Sequence, residues 1–531
     1  MERVLSGFYR ILAGVLGALF LALTIFAVFY TVVFRQWEEN DYPDFTRLPV
    51  IATLFVLIVL AFALRLFVRR FGKNGEGAKC TASGILIPER GIVLSLAAVC
   101  FFGIFLLYVI RGLPTNDARE LDRIMGEFLA GDYHAMESGY LTIYPFQLSY
   151  CLAGQGLAVL FGAGSYLPYQ ILNLLSVLLT FFFLYETAWE LTEDLRVCRV
   201  MPLMIAGCLM LTVYCTFIYN DIWSLAPLFG AFWLMIRFLK QGGMLRGTAA
   251  AVLAALSFCI KSNGSIALIA MAMMLAVCVI REFIAGDRSR AVRGLAVAVM
   301  MILFSVGMRV GVNAYYTAKS GLPVPGGVPA AAYFAMGMEE TDGKCGWYNG
   351  MNARFILDAD GDSDAAAHAA AAHIRERGSY LLHHPREMIR FYGKKFFSQW
   401  GDPTKVSLRE QELTGRHQEG KRPALAGDLT YGTGYHILQG GMHLYHLLLC
   451  FFSAAELFAL CFQKRRIDEK TVLILLFVFG GMVFHQIWEA SGRYTLRYEL
   501  AMMPIAAAGA VRYLAGAGKS EKRKEGYERE K

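Results

Sequence analysis

An all-α polytopic membrane protein of about twelve crossing helices is what this sequence predicts, on three observations. Of its 531 residues, 56% are hydrophobic and 18% charged, with a mean hydropathy of +0.44, a balance soluble domains rarely show. Apolar runs of about 20 residues recur from end to end, each long enough to cross a hydrocarbon core of roughly 30 Å. The Lys and Arg behind the net charge of +8 gather in short loops between those runs and in the tail KSEKRKEGYEREK. That is topology charge facing cytoplasm and anionic lipid, not a nucleic-acid surface.

In chain order the spans fall near 7–34, 48–68, 91–110, 168–188, 200–219, 222–240, 247–261, 264–281, 293–313, 438–462, 470–488 and 498–516. The first is too long for a signal-peptide core and lacks a small-residue cleavage site, so it is expected to be a retained anchor. Twelve crossings place both termini on one side. The loops then assigned to the cytoplasm carry Arg69, Arg70, Lys73, Lys79 and Arg90; Arg196 and Arg199; Arg237, Lys240 and Arg246; Arg281, Arg288, Arg290 and Arg293; and Lys464, Arg465 and Arg466. Every one is basic, as the positive-inside bias requires. The expected location is a plasma or inner membrane, with both termini cytoplasmic. Most of the eleven cysteines lie inside apolar runs, where Cys behaves as a small hydrophobe, and no disulfide framework or CxxC pair is visible.

The expected divisions are 1–90, two spans and a basic loop; 91–313, a membrane core holding a first outer loop at 112–167; 314–437, a second outer segment; 438–516, the last spans; and 517–531, a basic tail. The second outer segment opens on SGLPVPGGVPAA and turns helical from about 364 to 400, with a break at Pro385. Large segments that need not hold themselves in the bilayer are where function concentrates.

In TNDARELDRIMGEFLAG, apolar positions Leu121, Ile124, Met125, Phe128 and Leu129 recur at helical spacing. Asp117 followed by Glu120 suits a helix opening, as a capping side chain with acid in the first turn. It also suits a base just beyond the bilayer that takes a proton from an attacking hydroxyl. The next stretch, SGYLTIYPFQLSYCLAGQGLAVLFG, is broken by Pro145, Gln147, Gln155 and glycines. About 146–162 is expected to lie in the interface with Tyr140, Tyr144 and Tyr150 at headgroup depth; a re-entrant or spanning helix is the alternative.

Arg493 and Arg497, in SGRYTLRYEL, fall on the outer side against the charge rule and stand one helical turn apart. Guanidinium forks there suit a lipid phosphate or diphosphate; snorkelling, or pairing with Glu489 or Glu499, is the plainer account. Lys261 in KSNGS is a second phosphate contact or a snorkelling lysine. Asp221 is expected to cap a helix. Lys394 and Lys395 lie where the second outer segment approaches the membrane, either touching phosphate or solvating a helix. No metal-ligand spacing stands out among the histidines, no cofactor is evident, and a divalent metal is left open. There is no GxxxxGK[ST], HExxH, GxSxG or dinucleotide fingerprint.

With those residues in place, the chain resembles the C-fold (GT-C) glycosyltransferases, in the polytopic branch of protein O-mannosyltransferases and lipid A aminoarabinose transferases. The likeness rests on the acidic first outer loop with Asp117, the YLTIYPFQL segment, the KSNGS lysine and GRYTLRYELAMMPIAAAG, and covers about 90–516. Where the family places Asp beside Glu, Ala118 follows Asp117 here and the next acid is Glu120. The resemblance implies a sugar donor on a polyprenyl phosphate and an acceptor that is a glycan, lipid or protein. It further implies an inverting displacement with Asp117 as base, while Arg493, with Arg497 and Lys261, stabilises the departing phosphate. A transporter or flippase of lipid-linked or small polar solutes is one rival, but transporters place charge at mid-membrane in paired repeats. A polysaccharide ligase or polymerase, and a noncatalytic scaffold, are the others.

Overall fold

The computed structural model describes residues 2–38, 40–71, 86–416, 424–462 and 467–514. The basic positions Lys73, Lys79, Lys464, Arg465 and Arg466 and the tail 517–531 lie outside the described residues. Among those described, nine helices are long and apolar enough to cross a membrane, or ten if the pair Leu195–Gly207 and Leu209–Thr216, bent by 48°, forms one span. Met244–Ile260, at 17 residues, and Gly492–Leu514, which carries Arg493, Arg497, Glu499 and Arg512, fill the two remaining expected positions. The fold is all-α and polytopic, with two small two-stranded sheets among the described residues.

Two expected boundaries move. The first helix stops at Phe29, because the β-branched run YTVVF prefers a strand; Tyr30–Phe34 pairs antiparallel with Pro43–Arg47, Val32 opposite Phe45. The helix expected near 293–313 runs from Arg288 to Ser320 and ends on Gly321 in the left-handed region. Its exposed Val292, Leu295, Ile302, Val306 and Val310 give it a flank suited to lipid.

The first helix packs on Thr433–Phe462. Gly17 permits the approach, since a Cβ there would stand 3.3 Å from the Phe458 ring. The expected interfacial segment forms the helix Leu148–Phe161, 14 residues long. At about 1.5 Å per residue it reaches roughly 21 Å, too short to span. Tyr150 departs from the expected headgroup position: it is 2% exposed and rings with Tyr219 and Trp223. In the second outer segment, Ser363–His383 is capped by Asp362, and Pro385 opens a separate helix ending at Trp400, as the ring of proline demands.

The order of the long helices sorts their connections into two sets. Arg199 pairs with Glu89 at 3.0 Å, Lys240 with Glu190 at 3.0 Å, and Arg281 with Glu469 at 2.8 Å. These pairs tie together the basic connections, which follow every second helix. The other connections, from the strand pair after the first helix to the turn before the last, all contribute to one cavity at the opposite end of the bundle.

Candidate active site

The cavity holds about 1090 Å³. Asp117 reaches it through a pinned loop: a Cβ on Gly112 would meet the Thr216 carbonyl at 2.2 Å, and Gln170 Nε2 donates to Thr216 O at 3.3 Å. Asn116, at φ 44°, turns the chain into the helix Asn116–Leu129. The helix cap is Thr115, without a side-chain capping bond, so Asp117 does not cap, contrary to one sequence reading. Its carboxylate is accessible yet walled in by protein. That confinement raises its pKa above the usual carboxylate range, while Arg493, Lys261 and the Tyr140 and Tyr219 hydroxyls pull it back. Glu120 also lines the cavity, but Arg123 holds its carboxylate at 2.5 Å.

The cations come from two turns. In KSNGS, Lys261 ends the helix Met244–Ile260. Gly264 makes the turn tight, since a Cβ there would lie 2.8 Å from the Phe258 Cα. Lys261 Nζ meets Asp221 at 3.0 Å and sits 4.8 Å over the Tyr219 ring. Arg493, at the start of the last helix, meets Glu410 at 3.1 Å and Asp221 at 3.8 Å. Asp221 is therefore a counter-ion to both cations, not the expected cap; Tyr219 holds the cap position of its helix.

Two expected phosphate contacts lie elsewhere. Arg497 is 2% exposed, one turn (about 5.4 Å) deeper, where Nη2 donates to Ser224 Oγ at 3.5 Å; it does not line the cavity. Lys395 is fully buried, its Nζ donating to Gly337 O at 2.5 Å and Trp488 O at 2.7 Å. It rivets the outer helix Pro385–Trp400 to the turn before Glu489 instead of facing a ligand. Replacing it by Met strands two buried carbonyls, each worth about 1–3 kcal/mol. Lys395→Met is expected to melt well below wild type in a detergent-solubilised thermal scan.

Residues the sequence reading passed over complete the site. Glu410 belongs to Ser407–Arg416, a strongly polar helix that is nevertheless buried through Thr414. Nothing in its spacing distinguishes it from a solvated loop. Glu489 is legible in the sequence only as a partner for arginine; it is 9% exposed, and Tyr494 OH donates to it at 3.3 Å. Burial pushes both glutamates up to about 7, with Arg493 pulling downward.

Folded values near 7 exceed unfolded ones of about 4.3, so the stabilisation is full below about pH 4 and lost as pH rises through 7. Each residue contributes roughly 4 kcal/mol at most by that difference. Glu489→Gln is expected to gain stability relative to wild type at pH 8 and not at pH 5, read from paired melts at the two values.

Residues 8–378 match a family model described as "Conserved hypothetical integral membrane protein". No curated protein matches the chain. Among solved structures it is similar to the arabinosyltransferase EmbB from Mycobacterium smegmatis, a single-particle cryo-EM structure. The identity is 14% and the TM-score 0.31, over 90% of this chain and 45% of that one, so the chain spans under half of that neighbour's length.

Proposed function

This chain belongs to the family of conserved hypothetical integral membrane proteins, and we propose that it is a membrane glycosyltransferase. It would move a sugar from a polyprenyl-phosphate donor to a hydroxyl on a glycan, lipid or protein acceptor, with inversion, at the membrane face away from the basic loops. The observation that carries this reading is the meeting, in one cavity, of an accessible carboxylate at Asp117 with Arg493, Lys261 and Glu410, the two cations being tied from behind by the buried Asp221. The basic connections at the opposite end support an extracytoplasmic cavity.

The acceptor O–H gives its proton to Asp117 as its oxygen bonds to the anomeric carbon. The bond from that carbon to the phosphate oxygen breaks, and its electron pair leaves with the lipid phosphate. Asp117 supplies about a hundred- to ten-thousand-fold. Arg493 and Lys261, preorganised by their carboxylates, offset charge growing on the leaving group. Tyr140, Tyr144, Tyr333, Trp347, Tyr348 and Trp488 line the cavity and offer flat apolar faces with polar edges to a sugar ring.

The test is turnover by the full chain in nanodiscs, with a panel of polyprenyl-phosphate sugars, read as release of polyprenyl phosphate. Release that vanishes in Asp117→Asn supports the proposal. No release from any donor, together with passage of donor across proteoliposomes, overturns it in favour of a flippase.

A further inference from the structure

The cavity's two best-placed cations are already matched by carboxylates, Lys261 by Asp221 and Arg493 by Glu410 and Asp221. Arg309 is different. It lines the same cavity from within the long helix Arg288–Ser320. Its Nη2 donates to Ser262 Oγ at 3.0 Å, and its guanidinium lies 5.0 Å over the Phe258 ring. Among the described residues no carboxylate reaches it. A guanidinium held at the membrane end of a cavity without a counter-ion is costly unless a ligand supplies one.

The helix below Arg309 indicates what that ligand is. At about 100° per residue, Ile302, Val306, Arg309 and Asn313 fall on one stripe of the helix. Ile302 is 61% exposed and Val306 56%, whereas Arg309 and Asn313 open into the cavity. The packed neighbour Ser265–Ile284 exposes Ile269. An apolar track about 10 Å long thus ends in an unmatched cation inside the polar cavity. A soluble anion has no use for the track, and an ordinary hydrocarbon chain has no use for the cation.

We propose that Arg309 binds the phosphate of the lipid-borne donor, with its chain lying along Ile302 and Val306. The guanidinium fork matches two phosphate oxygens, and Asn313 stands one turn further along for a third. The identity of the lipid rests on the transferase reading; the phosphate site does not. On this assignment Arg309 holds donor before and during reaction, and Arg493 answers the charge that develops only as the bond breaks.

Binding of farnesyl phosphate to the purified full chain in detergent tests it. Arg309→Gln should weaken binding about ten- to a hundredfold, the loss expected of charge-assisted hydrogen bonds, while Arg309→Lys keeps part of it. Farnesol should bind both proteins equally. Wild-type affinity in a folded Arg309→Gln, with loss in Arg493→Gln, overturns the assignment and leaves the transferase proposal standing. Inorganic phosphate binding as tightly as farnesyl phosphate overturns the lipid source. If wild type turns over no lipid-linked sugar yet binds farnesyl phosphate through Arg309, the transferase reading fails and the site survives.

Discussion

Asp117→Asn is expected to lower transfer by about a hundred- to ten-thousand-fold, the span of a single general base, with little change in melting. The two halves of that expectation have separate grounds. Asn keeps the shape of Asp, and the native carboxylate neither caps its helix nor forms an ion pair within hydrogen-bonding reach of Arg493, which is spent on Glu410 and Asp221. The Asn amide oxygen can still accept from the Tyr140 and Tyr219 hydroxyls that face the carboxylate, so no buried hydrogen-bonding partner is stranded. The chemistry is another matter, because an amide oxygen cannot take the acceptor's proton at neutral pH. Confinement raises the Asp117 pKa, so the wild-type rate should climb with pH through that value, and the variant should lose the climbing limb. Glu489→Gln is the control: it also removes a cavity carboxylate, with its pKa near 7, and should leave that limb in place. Measuring kcat/KM against pH for the three proteins decides which acid is the base. An unaltered profile in Asp117→Asn would remove Asp117 from the reaction.

Much of this arrangement could be read from the residues, and what could not has a physical reason in each case. Apolar runs report helices because a bilayer demands about 20 such residues whatever the tertiary fold. Charges at the ends of those runs report depth, and they put Asp117, Lys261 and Arg493 at one level. Depth does not report rotation about the helix axis. Arg497 is a turn below Arg493 and faces Ser224, and Lys395 points inward to two carbonyls; periodicity is silent on both. Glu410 is illegible for the opposite reason, since burial of a polar segment depends on partners supplied by distant sequence, here Arg493 and, for its neighbour Arg409, Asp41. Arg309 did leave a signal. An arginine inside the run VGMRVGVN is a costly residue in a spanning helix and by itself a reason to look for a ligand.

Arg493→Gln is expected to show the second large effect, and it is composite. The guanidinium meets Glu410 at 3.1 Å and Asp221 at 3.8 Å, and both acids are buried, at 7% and 4% exposure. Removing one partner of a buried pair typically costs about 3–5 kcal/mol, because a charge is left without a match. Glu410, already pushed up to about 7 by burial, would respond by taking a proton, so the cost should shrink at low pH. Separately, loss of a preorganised cation opposite the leaving phosphate should reduce kcat by about a hundred- to a thousandfold. A single variant cannot divide these effects, but a cycle can. In the double variant Arg493→Gln with Glu410→Gln, charge and counter-charge leave together, and most of the lost stability should return. Turnover should not return, because the cation is still missing. Recovery of rate along with the melt would mean that Arg493 serves only to hold Glu410 and the buried helix Ser407–Arg416 in place, and the leaving-group role would then fall to Lys261 and Arg309.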